Sequence, residues 1–439
     1  MRNLTVVIKD GRIRALAKLG FIEGGRKVQV VNAGGKYLIP GLWDMDVRSG
    51  AGASAWDENI IYPLYVANGV TGVRDMGGDV GLLQQRRDHI ESGQLLGPHL
   101  LFGGRWLDGG AKSDEQVIAV NTPAEGREAV HTIKDHGADF VHIMSRLSRE
   151  SYLAIADEAK RLRMRLVGHV PEAVSASEAS ASGQRSIDDL SAVLLACSSD
   201  ESDLRQKRLE ALAKDDSGAY AAFQQQMLAT YNPEKAWKLF SELTDHNTYG
   251  VPSLIWWRTG EELEPPEMNT DTRLKYVPAR VRAEWDSAKA QHQFTPDQLS
   301  NFRKSFSRYL DVVHSMHRAG VPFMTGTEAP DPYVFPGFSL HDELELLVSA
   351  GFSNADALAA ATFYPALFMV KLDQYGVLEP GHVADIVLLD ANPLEDIRNT
   401  RKISAVVLGG RYYSRTALDR TLAHVAEAAM KQDVVASTR

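Results

Sequence analysis

Six polar side chains stand where apolar, strand-like runs end. They are Asp46 and Arg48 beyond residues 38–41, His142 in the FVHI run of residues 140–143, His169 after residues 166–168, Asp189 in the SIDDL run of residues 186–190, and Glu328 closing the TGTE run of residues 325–328. Carboxyl and imidazole groups exchange protons near neutral pH once burial and neighbouring charges tune them. A guanidinium stabilises negative charge without giving up its proton. Glu328 is therefore the expected base, His169 the expected acid and Arg48 the stabiliser of developing negative charge. Asp46, Asp189 and His142 are expected to tune and orient them. Asp188 is expected to face away from the group, because neighbours on a strand point to opposite faces. Arg146, following residues 140–143, could clamp a substrate carboxylate, and Trp257 and Tyr333 could form an apolar wall. The competing reading is a salt-bridge network that serves structure alone.

The elements that must carry these residues are readable as alternating runs. Strand-like segments at 69–75, 138–143, 166–169, 251–255 and 321–325 each end one βα unit, with helical stretches such as 124–136 and 151–162 between them. Such alternation builds a parallel sheet. So many units across residues 40–376 predict an α/β protein with a closed (β/α)8 TIM barrel, in which reacting groups gather at the C-terminal ends of the strands. A charged, helical insertion over about residues 200–308 is predicted to roof that end. Residues 4–8 and 12–13 flank Lys9, Asp10 and Gly11 as a hairpin. Residues 28–31 and 37–39 read as further strands, and 384–389 and 403–408 read the same way near the other end. Residues 1–39 and 377–412 are therefore predicted to form one small β-sandwich domain. Residues 413–439 read as a helix or tail, amphipathic from Ala417 and fraying over 434–439.

Composition narrows the function classes. The chain has 439 residues, with 48 Lys and Arg against 57 Asp and Glu, a formal charge of -9. An acidic chain without a basic stripe is a poor nucleic-acid binder. No apolar run approaches the ~18 residues of a membrane span, and Arg2 opens a short strand-like run rather than a secretory leader. A single cysteine, Cys197, excludes an intramolecular disulfide and a cysteine-based zinc cluster. The expectation is a cytoplasmic protein acting on a small-molecule substrate, without nucleic-acid or membrane partners and with homo-oligomer formation left open.

Several motifs resemble the amidohydrolase superfamily, in its imidazolonepropionase-like and prolidase-like branch. They are LIPGLWDM (residues 38–45), VANGVTGVRDM (66–76), Gly326-Thr327, PGFSLHDEL (336–344) and ADIVLLDANP (384–393), so the resemblance spans nearly the whole chain. It implies a metallo-dependent-hydrolase TIM barrel beside a small β-sandwich, with one or two divalent metals that hydrolyse amide, ester or ring C–N bonds. Asp46 and Arg48 stand where that family carries a His-x-His pair, and His142 stands where it carries a carboxylated lysine. His169 keeps its histidine. Asp189 replaces another histidine, and Glu328 replaces an aspartate that is both ligand and base. Five of the six ligand positions have changed within an intact frame.

Three carboxylates against one guanidinium leave two net negative charges in a concave mouth, and close like charges do not all ionise cheaply. Arg48 also competes with a cation for the same place. The expectation is an enzyme without a cofactor that has lost its binuclear metal site and runs metal-independent acid–base chemistry: isomerisation, elimination, cyclisation or retro-aldol cleavage. One alternative is an amide, peptide or lactam hydrolase with a single Zn, Mn or Fe ion on Asp46, His142, His169, Asp189 and Glu328. The other is a catalytically inactive relative or an engineered scaffold.

Overall fold

The computed structural model describes residues 4–18, 28–50, 56–110, 116–214, 223, 225–261, 270–291 and 295–436. Its strands run β1 (Leu4–Lys9), β2 (Arg12–Lys18), β3 (Tyr37–Pro40), β4 (Leu42–Val47), β5 (Val70–Asp75), β6 (His99–Phe102), β7 (Trp106–Asp108), β8 (Val117–Ala119), β9 (Phe140–Ile143), β10 (Arg165–Gly168), β11 (Gln184–Asp188), β12 (Tyr249–Val251), β13 (Ile386–Leu389), β14 (Ile403–Leu408) and β15 (Arg411–Ser414). β1 and β2 form the expected hairpin, with Asp10 (φ 52°) and Gly11 (φ 75°) both in the left-handed region that a tight two-residue turn requires.

The barrel closes by hydrogen bonds around its whole circumference. β4, β5 and β6 pair in parallel, and the Asp139 amide donates to the Phe102 carbonyl at 2.9 Å, joining β6 to the β9 side. β9, β10, β11 and β12 continue in parallel. The eighth stave is residues 321–329. It bridges β12 at Phe323 and β4 at Ala329, and the Met45 amide donates to the Thr325 carbonyl at 2.8 Å. Trp43, Met45, Phe140, Val167, Tyr249, Val251 and Met324 pack together inside the ring, so the interior is filled and is no channel. Polar side chains at the strand ends are thereby held over a rigid apolar floor.

Helices cover the outside. Pro123–Asp135 begins on a capping box, with Thr122 and Glu125 satisfying each other's backbone amides. Over residues 201–318 the chain before and after β12 forms the helices Glu201–Lys214, Pro233–Asp245, Leu254–Glu261, Ala279–Gln291 and Pro296–Arg318. None of the described helices is long and apolar enough to cross a membrane.

Four expectations need correction. Residues 28–31 are exposed and irregular, Val28 and Val30 being 60% and 81% exposed, and among the described residues no strand pairs with them. The run at 251–255 stops being strand at Val251. Pro252 offers no amide, and a helix starts at Leu254 with the Ile255 amide donating to Glu343 at 2.7 Å. Residues 321–325 form only bridges, since Pro322 likewise lacks a donor. The last helix starts at Arg415 rather than Ala417 and continues through Ala436; residues 437–439 of the expected frayed tail lie outside the described residues.

β3, β13, β14 and β15 form one antiparallel sheet from both ends of the chain. It meets the barrel through Asp385, which accepts from the Gly409 amide at 2.7 Å and from His99 Nε2 at 2.8 Å. Burial pulls His99 down, yet the charge and hydrogen bond of Asp385 outweigh it and leave the imidazole with a raised pKa. A group whose folded pKa is raised stabilises fully below its unfolded value, about 6.5, and loses that contribution as pH rises through the folded value. His99→Gln should therefore lower the urea midpoint at pH 6 and have a smaller effect at pH 9. An equal loss at both would show that packing on Trp43 and Tyr375, not charge, is what His99 contributes.

Candidate active site

β4 carries Asp44 and Asp46, its register against β5 slips between Asp44 and Val47, and Arg48 directly follows its last residue. Arg48 Nη2 lies 2.6 Å from Glu328 Oε2 and Nη1 lies 3.7 Å from Asp331 Oδ2. Its guanidinium also sits 5.9 Å from the centre of the Trp106 ring. Desolvation opposes the Arg48 charge, but Glu328, Asp331, Asp46 and Asp189 together hold its pKa above the usual value. Burial raises Asp46 to about 7, with Asp188 adding to the rise and Arg48 and Arg74 opposing it. Burial likewise pushes Glu328 well above the carboxylate range, against the pull of Arg48 and with a further push from Asp46.

The histidines lie across the mouth. His142 and His169 rings are 6.5 Å apart. His142 Nδ1 is hydrogen-bonded to the Met76 carbonyl, which can only accept, so the proton is on Nδ1 and Nε2 carries the lone pair. Burial, then His169, holds His142 well below its usual pKa. Gly168 explains how the ring fits: it sits at φ 116°, and a Cβ there would come within 2.4 Å of His142 Cδ2 and of the Ile143 carbonyl. Gly168→Ala should displace the His142 ring and destabilise by about 1–3 kcal/mol. A crystal structure of the variant with that ring unmoved would refute the packing argument. His169 Nδ1 is 3.1 Å from Ser145 Oγ, and burial lowers its pKa although Asp189 opposes this. The expected acid is thus a neutral imidazole.

Asp189 accepts from the Ser191 amide at 3.1 Å and from the Tyr309 hydroxyl at 3.4 Å. Asp188 does not face away. It is buried and accepts from Arg74 Nη2 at 3.1 Å, while Arg74 also donates to Ser186 Oγ at 3.0 Å. The alternation argument fails because β11 ends at Asp188 and Asp189 turns to φ 51°. Ser253 (φ 45°) and Glu328 (φ 63°) share this left-handed geometry. Each such residue costs roughly 1–3 kcal/mol, a strain that concentrates at functional sites.

Of the candidate substrate contacts, Arg146 is exposed, its amide donating to Asp108 at 2.7 Å. Trp257 packs against Tyr309 with ring centres 5.0 Å apart. Tyr333 is not gathered with them: it lies buried against Trp285 and donates to Asp286 at 3.2 Å. Sequence reasoning missed Asp331, which ties Arg48 to the helix Leu254–Glu261 by accepting from Trp256 Nε1 at 2.7 Å. It missed Asp44 too, although the i, i+2 spacing with Asp46 was a usable signal. Asp44 accepts from the Thr327 hydroxyl at 2.7 Å and amide at 3.1 Å, and burial raises it to about 8.

These residues do not fit a binuclear metal centre. The Arg48 guanidinium lies directly against Glu328, Asp189 is engaged by Ser191 and Tyr309, and among the described residues no three His, Cys, Asp or Glu side chains converge as a ligand set.

Comparison with known proteins adds the family context. The chain resembles a bottromycin amidohydrolase (TM-score 0.73, 18% identity, 97% of this chain and 86% of that one). It also resembles a prolidase candidate from Bifidobacterium longum (TM-score 0.65, 24% identity, 97% and 94%). A Xaa-Pro dipeptidase with methionine bound in its active site is similar as well (TM-score 0.65, 20% identity, 94% and 95%). No curated protein matches in sequence. The Amidohydrolase family model matches residues 292–412. That match covers residues 292–412, and over nearly the whole chain the fold is the one these solved amidohydrolase and prolidase structures share.

Proposed function

We propose that the protein is an enzyme performing acid–base chemistry on a small organic molecule without a resident metal. One observation carries this reading: Arg48 Nε and Asp46 Oδ1 are both buried and without hydrogen-bond partners among the described residues. An open donor and an open acceptor, two residues apart in the chain, suit a reacting group that offers an oxygen to one and a proton to the other. Burial raises both Asp46 and Glu328, and Asp46 pushes Glu328 further; on this reading the two share one proton, and its titration belongs to both. The ionised member takes a proton from the substrate and the protonated member returns one. Arg48 stabilises the negative charge that forms between these steps. Neutral His169 orients the substrate rather than serving as the principal acid. The arrangement suits isomerisation, elimination, cyclisation or retro-aldol cleavage.

The rate should trace a bell against pH. It falls on the acid side when both carboxyls hold protons and on the alkaline side when neither does. One limb should lie near 7, where Asp46 is placed by burial and Asp188 against Arg48 and Arg74. A flat profile between pH 5 and 9 would contradict the shared proton.

The hydrolytic names of the structural relatives favour one competing reading, amide hydrolysis with a single divalent ion, which requires Arg48 to release Glu328. Solvent exchange separates the two. Metal-depleted protein incubated in deuterium oxide with a panel of ketones and imines should place deuterium next to the carbonyl or imine carbon of at least one. Arg48→Met should not. Uptake that appears only after zinc is added would overturn the metal-independent reading.

A further inference from the structure

Three carboxyls of the site are reached from one short segment, residues 253–257. Ser253 Oγ donates to Asp46 Oδ2 at 3.5 Å. Trp256 Nε1 donates to Asp331 Oδ2 at 2.7 Å, and Asp331 in turn lies 3.7 Å from Arg48. Trp257 packs on Tyr309, whose hydroxyl donates to Asp189. Gly326 lets the segment close on Asp46: a Cβ there would come within 2.6 Å of Asp46 Cβ and 3.3 Å of Ser253 Oγ.

What anchors this segment comes from another helix. Ser253 turns away from β12 at φ 45°, a strained geometry that its surroundings must hold. The first turn of the helix Leu254–Glu261 also leaves amides in need of acceptors. Glu343, on the helix Phe338–Ser349, supplies one: its Oε2 accepts from the Ile255 amide at 2.7 Å. Burial raises Glu343 to about 8 against the pull of the Ile255 and Leu254 amides, and its neutral and ionised forms both keep an acceptor oxygen. Glu343 is 0% exposed, and its Oε1 has no partner among the described residues. A buried acid with an idle oxygen costs stability. The bond that it does make fixes the direction of Ile255, and with it the indole of Trp256 that follows.

We propose that Glu343 is a positioning residue: by anchoring Ile255 it sets where Ser253, Trp256 and Trp257 hold Asp46, Asp331 and Asp189. The inference rests on the acid–base reading for what those carboxyls do, and it adds the residue that aligns them. A small misplacement of groups around a reacting centre costs rate steeply, so an anchor outside the reacting groups controls turnover through geometry alone.

The test is nitrogen-15 NMR of tryptophan-labelled, metal-depleted protein, combined with deuterium uptake by the ketone or imine that the wild type exchanges. The Trp256 indole resonance, assigned by its loss in Trp256→Phe, reports the bond to Asp331. Glu343→Leu removes the acceptor at similar volume. It should shift that resonance and lower the exchange rate by about 10- to 100-fold, with KM changed less than threefold. Glu343→Gln keeps an acceptor oxygen and should return the resonance and bring the rate within threefold of wild type. Glu343→Leu combined with Trp256→Phe should cost less than the product of the two single effects, because both act through one bond. Thermal melting checks the fold. Where Glu343→Leu does not fold, Glu343→Asp, which withdraws the carboxyl by one methylene, should shift the same resonance and lower the rate at least threefold. An unmoved resonance in a folded Leu or Asp variant, a Gln variant as impaired as the Leu variant, or strictly multiplicative effects would overturn the proposal. A wild type that exchanges no compound removes the acid–base reading alone, since the indole resonance still decides whether Glu343 sets the Trp256–Asp331 bond. Exchange without the resonance shift removes only the role of Glu343.

Discussion

Glu328→Gln is expected to lower turnover by about 100- to 10,000-fold with little change in substrate affinity. Glutamine keeps the volume of the side chain and an oxygen for Arg48, so the backbone around residue 328 has no steric reason to move. It lacks the ionisable carboxyl, and with it one half of the pair that holds the shared proton. Arg48 keeps Asp331 at 3.7 Å, so its charge is not abandoned. Turnover unchanged within threefold would remove Glu328 from the chemistry and leave it as an ion-pair partner of Arg48.

The second large effect concerns stability. Arg74→Met should destabilise the fold by about 3–5 kcal/mol, the usual result of leaving a buried charge without its partner. Arg74 is fully buried and Asp188 nearly so, the pair is 3.1 Å apart, and the same guanidinium lies 5.7 Å from Phe140 and 5.4 Å from Phe368. Adding Asp188→Asn should recover part of the loss, because the orphaned charge is then gone. The check is the urea midpoint of the two single variants and the double. Strict additivity would mean that Arg74 acts through packing on the two phenylalanines, not through Asp188.

The barrel was readable because buried parallel strands have an unmistakable texture. Residues 70–75 and 140–143 are buried along their full length, and each follows a helix with the right periodicity. The strand-end residues were legible as neighbours for the same reason: Arg48 meets Glu328 at 2.6 Å, and the His142 and His169 rings lie 6.5 Å apart. What escaped was direction. Alternation assigns Asp188 outward only while the strand stays extended, and the left-handed turn at Asp189 ends that condition. Tyr333, also left-handed at φ 61°, turns away to Asp286 in the same manner. Pairing escaped as well, since nothing in local sequence says that Asp331 will meet both Arg48 and Trp256. The protonation of His169 depended on burial, a property of the assembled mouth.

The fold and the charges at the strand ends are separable. A (β/α)8 barrel presents strand ends as independent positions over a packed floor, so side chains there exchange without unfolding the scaffold. Here Arg48 places a fixed positive charge 2.6 Å from Glu328, and burial raises Asp46 and Glu328 beside it.

The decisive measurement is turnover and metal content on one chelator-treated sample. Activity persisting at far less than one metal ion per chain, unchanged on adding zinc or manganese, is the expected result. One ion bound per chain, with turnover lost on its removal and restored on its return, would contradict the account.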